Sequence, residues 1–144
     1  MPKPSKSLPR IGAHTPTSGG MAKRSLGYAE TIKAEVIQVF ASNPRGWAMP
    51  EPNPAADEDF KAKAAAMDVT TYVHAPFLIN LGSPTEGTYK NSLASTAYSL
   101  KRGKDIGALG VVIHTGSAVD EGHVANAWKQ IHEGMMPILN ALPD

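Results

Sequence analysis

Short apolar runs alternate with helical patterns along this chain, and their order predicts four strand–helix units. Residues 35–40 are rich in β-branched side chains and residues 110–113 form a continuous apolar run, which is typical of strands. Two further strands are expected at residues 10–14 and 69–73, the latter ending at His74. Because each predicted strand precedes a helical pattern, we predict an α/β fold with a parallel sheet.

The helical patterns have apolar residues spaced three or four positions apart. They cover residues 21–32, 54–67, 89–107 and 124–142. In the second helix, Phe60, Ala64 and Met67 are expected to face the core. In the fourth, Gly134 and Pro137 are expected to kink or divide the helix.

Four such units amount to half of a TIM-barrel-type (β/α)₈ fold, which needs about 250 residues in full. A small open doubly wound sheet is the alternative. The apolar run at residues 110–113 predicts a strand covered on both faces. A half barrel leaves two strand edges unpaired, which favours association. We therefore expect a fragment, the product of a truncated or split reading frame, or one half of an assembly.

Composition narrows the class of protein. The chain has 144 residues, of which 42% are hydrophobic and 19% charged, and this fits one globular domain. It has no cysteine, which excludes a disulfide framework, a thiolate nucleophile and a cysteine-ligated metal site. No apolar run approaches the roughly 18 residues of a membrane span, and no secretory signal opens the chain. We expect a cytoplasmic protein that does not contact membranes.

Positive charge is concentrated near the amino terminus. Five basic residues precede the first acidic residue, Glu30, so that the opening segment carries +5 and the remainder −4. Residues 1–10 are also rich in proline, and we predict a disordered basic arm there, followed by one domain over residues 11–144. The arm either steers the protein toward phosphate or only increases solubility, and both interpretations stay open.

Three histidines stand at the carboxyl ends of predicted strands: His14, His74 and His114. Active sites of parallel barrels and sheets are built at that end. His74 and His114 end consecutive strands, and imidazoles on strands about 4.8 Å apart can share a zinc ion. His14 lies two strands further away and is less suited to the same ion. A hydrogen-bonded structural role is the alternative for each histidine.

Two predicted loops carry residues suited to nucleic acid. The loop after the second strand holds Asn43, Arg45 and Trp47, and an arginine with an indole suits contact with phosphate and with base or sugar. Alternatively, Trp47 packs beneath a surface loop. Phe77 and Leu78 follow His74 and either pack or form a wedge inserted into DNA.

Four segments occur in a specific order and spacing. They read IGAH at residues 11–14 followed by Gly19 and Gly20, FASNPRGW at 40–47, HAPFLINL at 74–81 and IHTGS at 113–117. With these motifs, residues 11–144 resemble the amino-terminal half of the endonuclease IV family of apurinic/apyrimidinic (AP) endonucleases. The resemblance implies a xylose-isomerase-like TIM barrel that holds three zinc ions. It also implies cleavage of the phosphodiester 5′ to an abasic site in base excision repair.

The resemblance further implies roles for individual residues. His74 and His114 match two zinc ligands, while His14 and Trp47 match supporting positions. Contacts with double-stranded DNA are implied for Asn43, Arg45 and Phe77. Tyrosine is common at the position of Phe77, so a hydroxyl is absent here. No catalytic side chain is implied, because a metal-activated water is the nucleophile.

The remaining ligands of the family come from strands five to eight, whose motifs this chain lacks. We therefore expect the polypeptide to be inactive alone, with either self-association or a missing carboxyl-terminal half completing the site. Two other functions stay open. One is a metal-dependent sugar isomerase or epimerase on the same barrel, and the other is a non-catalytic DNA-binding remnant.

Overall fold

The computed structural model describes residues 9–142 and contains four strands, each followed by a helix. The strands are β1 (Gly12–His14), β2 (Val36–Phe40), β3 (Thr70–His74) and β4 (Gly110–Val112). The helices are α1 (Leu26–Ile32), α2 (Pro54–Ala66), α3 (Glu86–Asp105) and α4 (Val124–Asn140). A π-helical turn (Met21–Ser25) precedes α1, and a 3₁₀ turn (Glu121–His123) precedes α4. Of the predicted basic arm, residues 1–8 lie outside the described residues.

The sheet has the strand order β1-β2-β3-β4, and all three strand pairs are parallel. In the register, Val36 lies between Gly12 and Thr70, and Tyr72 lies opposite Gly110. Each strand pairs with its predecessor in the chain, without the reversal of order that a doubly wound sheet requires. The prediction of an α/β half barrel with four of eight units is therefore confirmed. In residues 9–142, no helix combines the length and the apolar character of a membrane span.

The main core lies between the sheet and the helices that cover it. Alternate strand residues, Ile37 and Val39 of β2 and Val73 of β3, are fully buried. They belong to one cluster with Leu26, Ala29, Phe60, Ala64 and Ile106 from the covering segments. Burying each large aliphatic or aromatic side chain contributes roughly 1.5–3 kcal/mol. This layer fixes the strands whose ends carry the site.

Helix α2 begins where the sequence indicates. The Oδ1 of Asn53 accepts a hydrogen bond from the backbone N–H of Ala56 at 3.1 Å and caps the helix. Phe60 and Ala64 are buried, as predicted. The prediction for Met67 is wrong, since its side chain is 38% exposed. Met67 lies beyond the last helical residue, so the helical spacing no longer directs it inward.

A buried ion pair joins α2 to α3. Arg102 donates to both carboxylate oxygens of Asp57, at 2.6 and 2.7 Å, and also to Asp105 at 3.1 Å. The Arg102 and Asp57 side chains are only 6% and 7% exposed. The other buried residues of α3 are small: Ser92, Ser95, Thr96, Ser99 and Gly103. Two-pronged pairing offsets part of the cost of removing both charges from water.

In the last unit, one prediction is wrong and another is wrong in one of its two alternatives. The fourth strand was expected to be covered on both faces, but Val112 is 40% exposed. The neighbouring Val111 packs against core residues, whereas Val112 faces the inner side of the sheet together with Gln38 and Tyr72. Of the two outcomes expected at Gly134 and Pro137, a division of the last helix does not occur, because α4 continues through both residues to its end at Asn140, and a kink stays a prediction.

Candidate functional site

The carboxyl end of the sheet brings two histidines into contact. In the parallel register of β3 and β4, His74 lies opposite Val112, and His114 follows two residues later. The Nε2 atoms of His74 and His114 are 3.2 Å apart. His74 is buried, whereas His114 is exposed. The pair therefore lies at the end of the sheet, with the ring of His74 held inside the fold and the ring of His114 accessible to solvent.

The hydrogen bonding of His74 fixes which ring nitrogen is free. Its Nδ1 lies 2.6 Å from the carbonyl oxygen of Ala75. Because a carbonyl oxygen only accepts, Nδ1 carries the hydrogen, and the lone pair of the neutral ring is on Nε2. Metal-ligating histidines are commonly oriented by such a carbonyl on their other nitrogen. The free nitrogen of His74 is directed at His114.

The spacing of the two nitrogens fits a shared zinc ion. Zinc–nitrogen bonds of about 2.0–2.1 Å at a tetrahedral angle place two nitrogens about 3.3 Å apart. The observed separation of 3.2 Å agrees with this value. Within residues 9–142, however, no three or more histidine, cysteine, aspartate or glutamate side chains form a group that could hold a metal. The described part of the chain thus offers two ligands and no third.

Phe40 is a site residue that sequence reasoning missed. The centroid of its ring lies 4.5 Å from that of His14, 5.2 Å from that of His74 and 5.2 Å from that of Phe77. The ring of His14 also lies edge-on to that of His74, with the two centroids 6.4 Å apart, and the Nδ1 of His14 is 3.1 Å from the Oε1 of Gln38. His14 is therefore brought near the pair without joining it. The sequence could have indicated Phe40, because Phe40 ends β2 at the register position that His74 occupies in β3.

The loop after β2 is shaped by Asn43. Its Oδ1 accepts from the backbone N–H of Arg45 at 3.0 Å, and its carbonyl oxygen accepts from that of Gly46 at 3.3 Å. This turn leaves Arg45 exposed. Trp47 is half-buried and packs against a small cluster formed by Ala75, Ile79 and Leu81. Asn43 and Trp47 thus shape and support the loop, while Arg45 presents its charge to solvent.

Phe77 stands at the rim of the site and is 54% exposed. Its ring centroid lies 5.4 Å from that of His74. Its backbone N–H donates to the carbonyl oxygen of Pro44 at 2.9 Å, which ties the loop after β3 to the loop that carries Arg45. Leu78 beside it is 37% exposed. An exposed cation and two exposed apolar side chains therefore share the rim around the histidine pair.

The family model described as the xylose isomerase-like TIM barrel matches residues 26–144. The chain belongs to this family. A protein from Streptomyces coelicolor named "Probable endonuclease 4" is 51% identical to this chain over 140 residues. The match covers 96% of this chain and 48% of the relative. The chain spans about half the length of the curated relatives it matches.

Solved structures of xylose isomerase-like TIM barrels agree with this match. Endonuclease IV from Thermus thermophilus is 30% identical, with a TM-score of 0.72 over 87% of this chain and 46% of that one. A xylose isomerase domain protein from Planctomyces limnophilus, at 15% identity, has a TM-score of 0.65 over 94% of this chain and 52% of that one, and shows the fold alone. Together the matches confirm the resemblance to the amino-terminal half of the endonuclease IV family.

Proposed function

We propose that this chain supplies the lesion-recognition rim and two zinc ligands of an AP endonuclease. The reaction is hydrolysis of the phosphodiester 5′ to an abasic site in double-stranded DNA, as a step of base excision repair. The observation that carries the proposal is the His74–His114 pair, with its nitrogens 3.2 Å apart, next to the exposed Phe77, which is bonded to the loop of the exposed Arg45. The names of the relatives in Streptomyces coelicolor and Thermus thermophilus support it.

The histidine pair holds the metal through its two Nε2 atoms in this proposal. When bound, zinc supplies an activated water and neutralises charge on the phosphate, so that no side-chain nucleophile is required. The Ala75 carbonyl keeps the hydrogen of His74 on Nδ1 and thereby leaves Nε2 free to bind. The rings of Phe40 and Phe77 pack against His74 and shield it from water on one side.

The rim residues recognise the DNA. Arg45 binds a backbone phosphate through its planar guanidinium, which positions the duplex without reading its sequence. Phe77 enters the stack at the lesion, where a base is missing and the cost of unstacking is lowest. Because the ring of Phe77 contacts that of His74, an aromatic side chain in the lesion would place the adjoining phosphate near the histidine pair.

Residues 9–142 contain no third metal ligand beside the pair, and we therefore propose that the chain does not incise DNA by itself. The missing ligands come either from a carboxyl-terminal half or from a second copy that pairs along the open edges of β1 and β4. Both arrangements would also cover the inner face of the sheet, which carries Tyr72 and the exposed Val112.

A nicking and binding assay on a duplex with one abasic site tests the proposal. The chain is incubated with zinc or with a chelator, and its mass is measured by light scattering under the same conditions. We expect binding that prefers abasic over undamaged duplex, and no incision. Arg45→Ala and Phe77→Ala are expected to lose that preference, whereas Lys63→Ala, which removes an exposed cation from α2, keeps it.

The histidine pair is tested in parallel by zinc binding in an equilibrium titration. His74→Ala with His114→Ala is expected to abolish zinc binding and to leave DNA binding in place. His132→Ala removes an exposed histidine from α4 and serves as the control, with zinc binding unchanged. Equal affinity for abasic and undamaged duplex, or zinc binding that survives the double substitution, contradicts the proposal. Metal-dependent incision by a dimer would instead show that a second copy completes the site.

A further inference from the structure

Asn80 connects the two loops that follow the histidine-bearing strands. Its Oδ1 accepts from the backbone N–H of Ser117 at 3.0 Å and from that of Gly82 at 3.1 Å. Asn80 comes six residues after His74, and Ser117 comes three residues after His114. A single side-chain oxygen therefore fixes the loop after β3 relative to the loop after β4.

The two loops also run in direct backbone contact. The N–H of Leu81 donates to the carbonyl oxygen of Thr115 at 2.9 Å. Gly116 has a φ of 90°, and a Cβ placed there would overlap the Oδ1 of Asn80 and lie 2.6 Å from its Cα. Only glycine fits such an approach, since it has no Cβ and adopts positive φ freely. Residues 115–117 therefore lie directly against Asn80 and Leu81.

Asn80 is itself fixed to α3. Its backbone N–H donates to the Oγ of Ser92 at 2.9 Å, and that hydroxyl donates to the carbonyl oxygen of Thr88 at 2.7 Å. Ser92 is fully buried. The hydrogen bonds therefore lead from a long helix through Asn80 to Ser117 and the segment next to His114.

His114 needs such a constraint because the sheet does not provide one. The register of β4 ends at Val112, and the last backbone bond to that strand runs from the N–H of Ala75 to the Val112 carbonyl at 2.9 Å. His74 is buried and bonded within the fold, whereas His114 lies beyond the paired strand and is exposed. Packing of Ile113 holds the chain on one side of His114, and the position of His114 relative to His74 then depends on what holds residues 115–117 on the other.

We propose that Asn80 is a positioning residue that sets His114 against His74 and thereby sets the zinc affinity of the pair. The zinc part of this inference rests on the proposed function, while the placement of the two rings does not. Removing a group that orients a metal ligand typically costs 10- to 100-fold in metal affinity. The cost arises because the unconstrained ligand must be ordered when the ion binds.

The test is a zinc titration followed by NMR of ring-¹⁵N-labelled histidines, in the wild type, Asn80→Leu and Asn80→Asp. Leucine removes the acceptor oxygen at similar volume, and we expect zinc affinity to fall about 10- to 100-fold. Aspartate keeps an oxygen for both N–H groups, and we expect affinity at or above that of the wild type. Amide exchange at Ser117 and Gly82 is expected to accelerate in the leucine variant only.

Asn53→Leu is the matched control for a loss of general stability. It likewise removes a side-chain oxygen that accepts a backbone N–H, that of Ala56 at 3.1 Å at the start of α2, and none of the hydrogen bonds of Asn80 involves that helix. Zinc affinity is expected to be unchanged in this variant. If it falls as far as in Asn80→Leu, or if Asn80→Leu binds zinc like the wild type, the positioning role is wrong.

The nuclear Overhauser contact between the His74 and His114 rings, recorded without zinc, tests the inference independently of metal binding. We expect the contact in the wild type and in Asn80→Asp, and its loss in Asn80→Leu. A wild type that binds no zinc would overturn the proposed metal role, and the ring contact would still decide the role of Asn80. An unchanged contact in Asn80→Leu would overturn the positioning of His114.

Discussion

The two faces of the sheet are built from the same strands but have different surroundings. On the face that the helices cover, Ile37, Val39 and Val73 are fully buried. On the inner face, Gln38 and Tyr72 are half-buried, although they alternate with those residues in sequence. The helix-covered layer can therefore hold the strands in place while the inner face and the carboxyl-terminal rim stay available for partners.

The largest effect is expected from a substitution that breaks the covered face. Phe60→Ala removes a fully buried ring from the core and is expected to lower the free energy of unfolding by about 3–5 kcal/mol. Val112→Ala on the inner face is expected to change it by less than about 0.5 kcal/mol, because Val112 is 40% exposed. Urea denaturation of both variants measures the contrast. If both variants lost the same free energy of unfolding, the inner face would have to be covered in solution.

A smaller effect tests the polar part of the covered face. Arg102→Met leaves the Asp57 carboxylate buried without its partner, and we expect a loss of about 3 kcal/mol in the free energy of unfolding. Adding Asp57→Leu to this variant removes the uncompensated charge and should recover most of the loss. The same denaturation measurement applies. A double variant no more stable than the single one would show that the pair is needed for more than its charge balance.

The smallest effect is expected at the amino-terminal end of the sheet. Arg10 donates to the Asp68 carboxylate at 2.7 Å, and this hydrogen bond lowers the pKa of Asp68. A depressed carboxylate pKa stabilises the fold above the ordinary value for aspartate, and the contribution is lost as the pH falls through the lowered pKa. Arg10→Ala should therefore lower the Tm more at pH 7 than at low pH, where only its bonds to the carbonyl oxygens of Glu35 and Asp68 and to the Thr70 hydroxyl are lost. High salt should shrink the difference, since both groups are exposed.

The fold was predictable because strand alternation and helical spacing are local patterns. The predicted ends at His14, Phe40 and His74 agree with the structure, whereas the fourth strand, predicted to end at His114, ends at Val112. Helix faces were less predictable. Leu93 of α3 is an apolar residue, and it packs with Ile131 and Met135 of α4. The fully buried face of α3 instead carries polar residues such as Ser92 and Thr96, whose small side chains let the helix approach its neighbours closely.

Less of the candidate site could be read from the sequence. The placement of His74 and His114 followed from strand ends and register, and the structure brings them together. The bond between Asn80 and Ser117 spans 37 positions and depends on how two loops cross, which no local pattern encodes. The contacts of the Phe40 ring with His14 and His74 likewise appear only once neighbouring strands are placed side by side.

The strand order has a consequence for how the chain acquires its structure during synthesis. Each strand pairs with the one made just before it, at separations of 24, 34 and 38 positions between the first paired residues of β1–β2, β2–β3 and β3–β4. A growing polypeptide can therefore add one strand and one helix at a time to an existing template. Each new strand can pair as soon as it is translated, because its partner strand is already present. Unpaired strands are therefore exposed to neighbouring nascent chains for a shorter time.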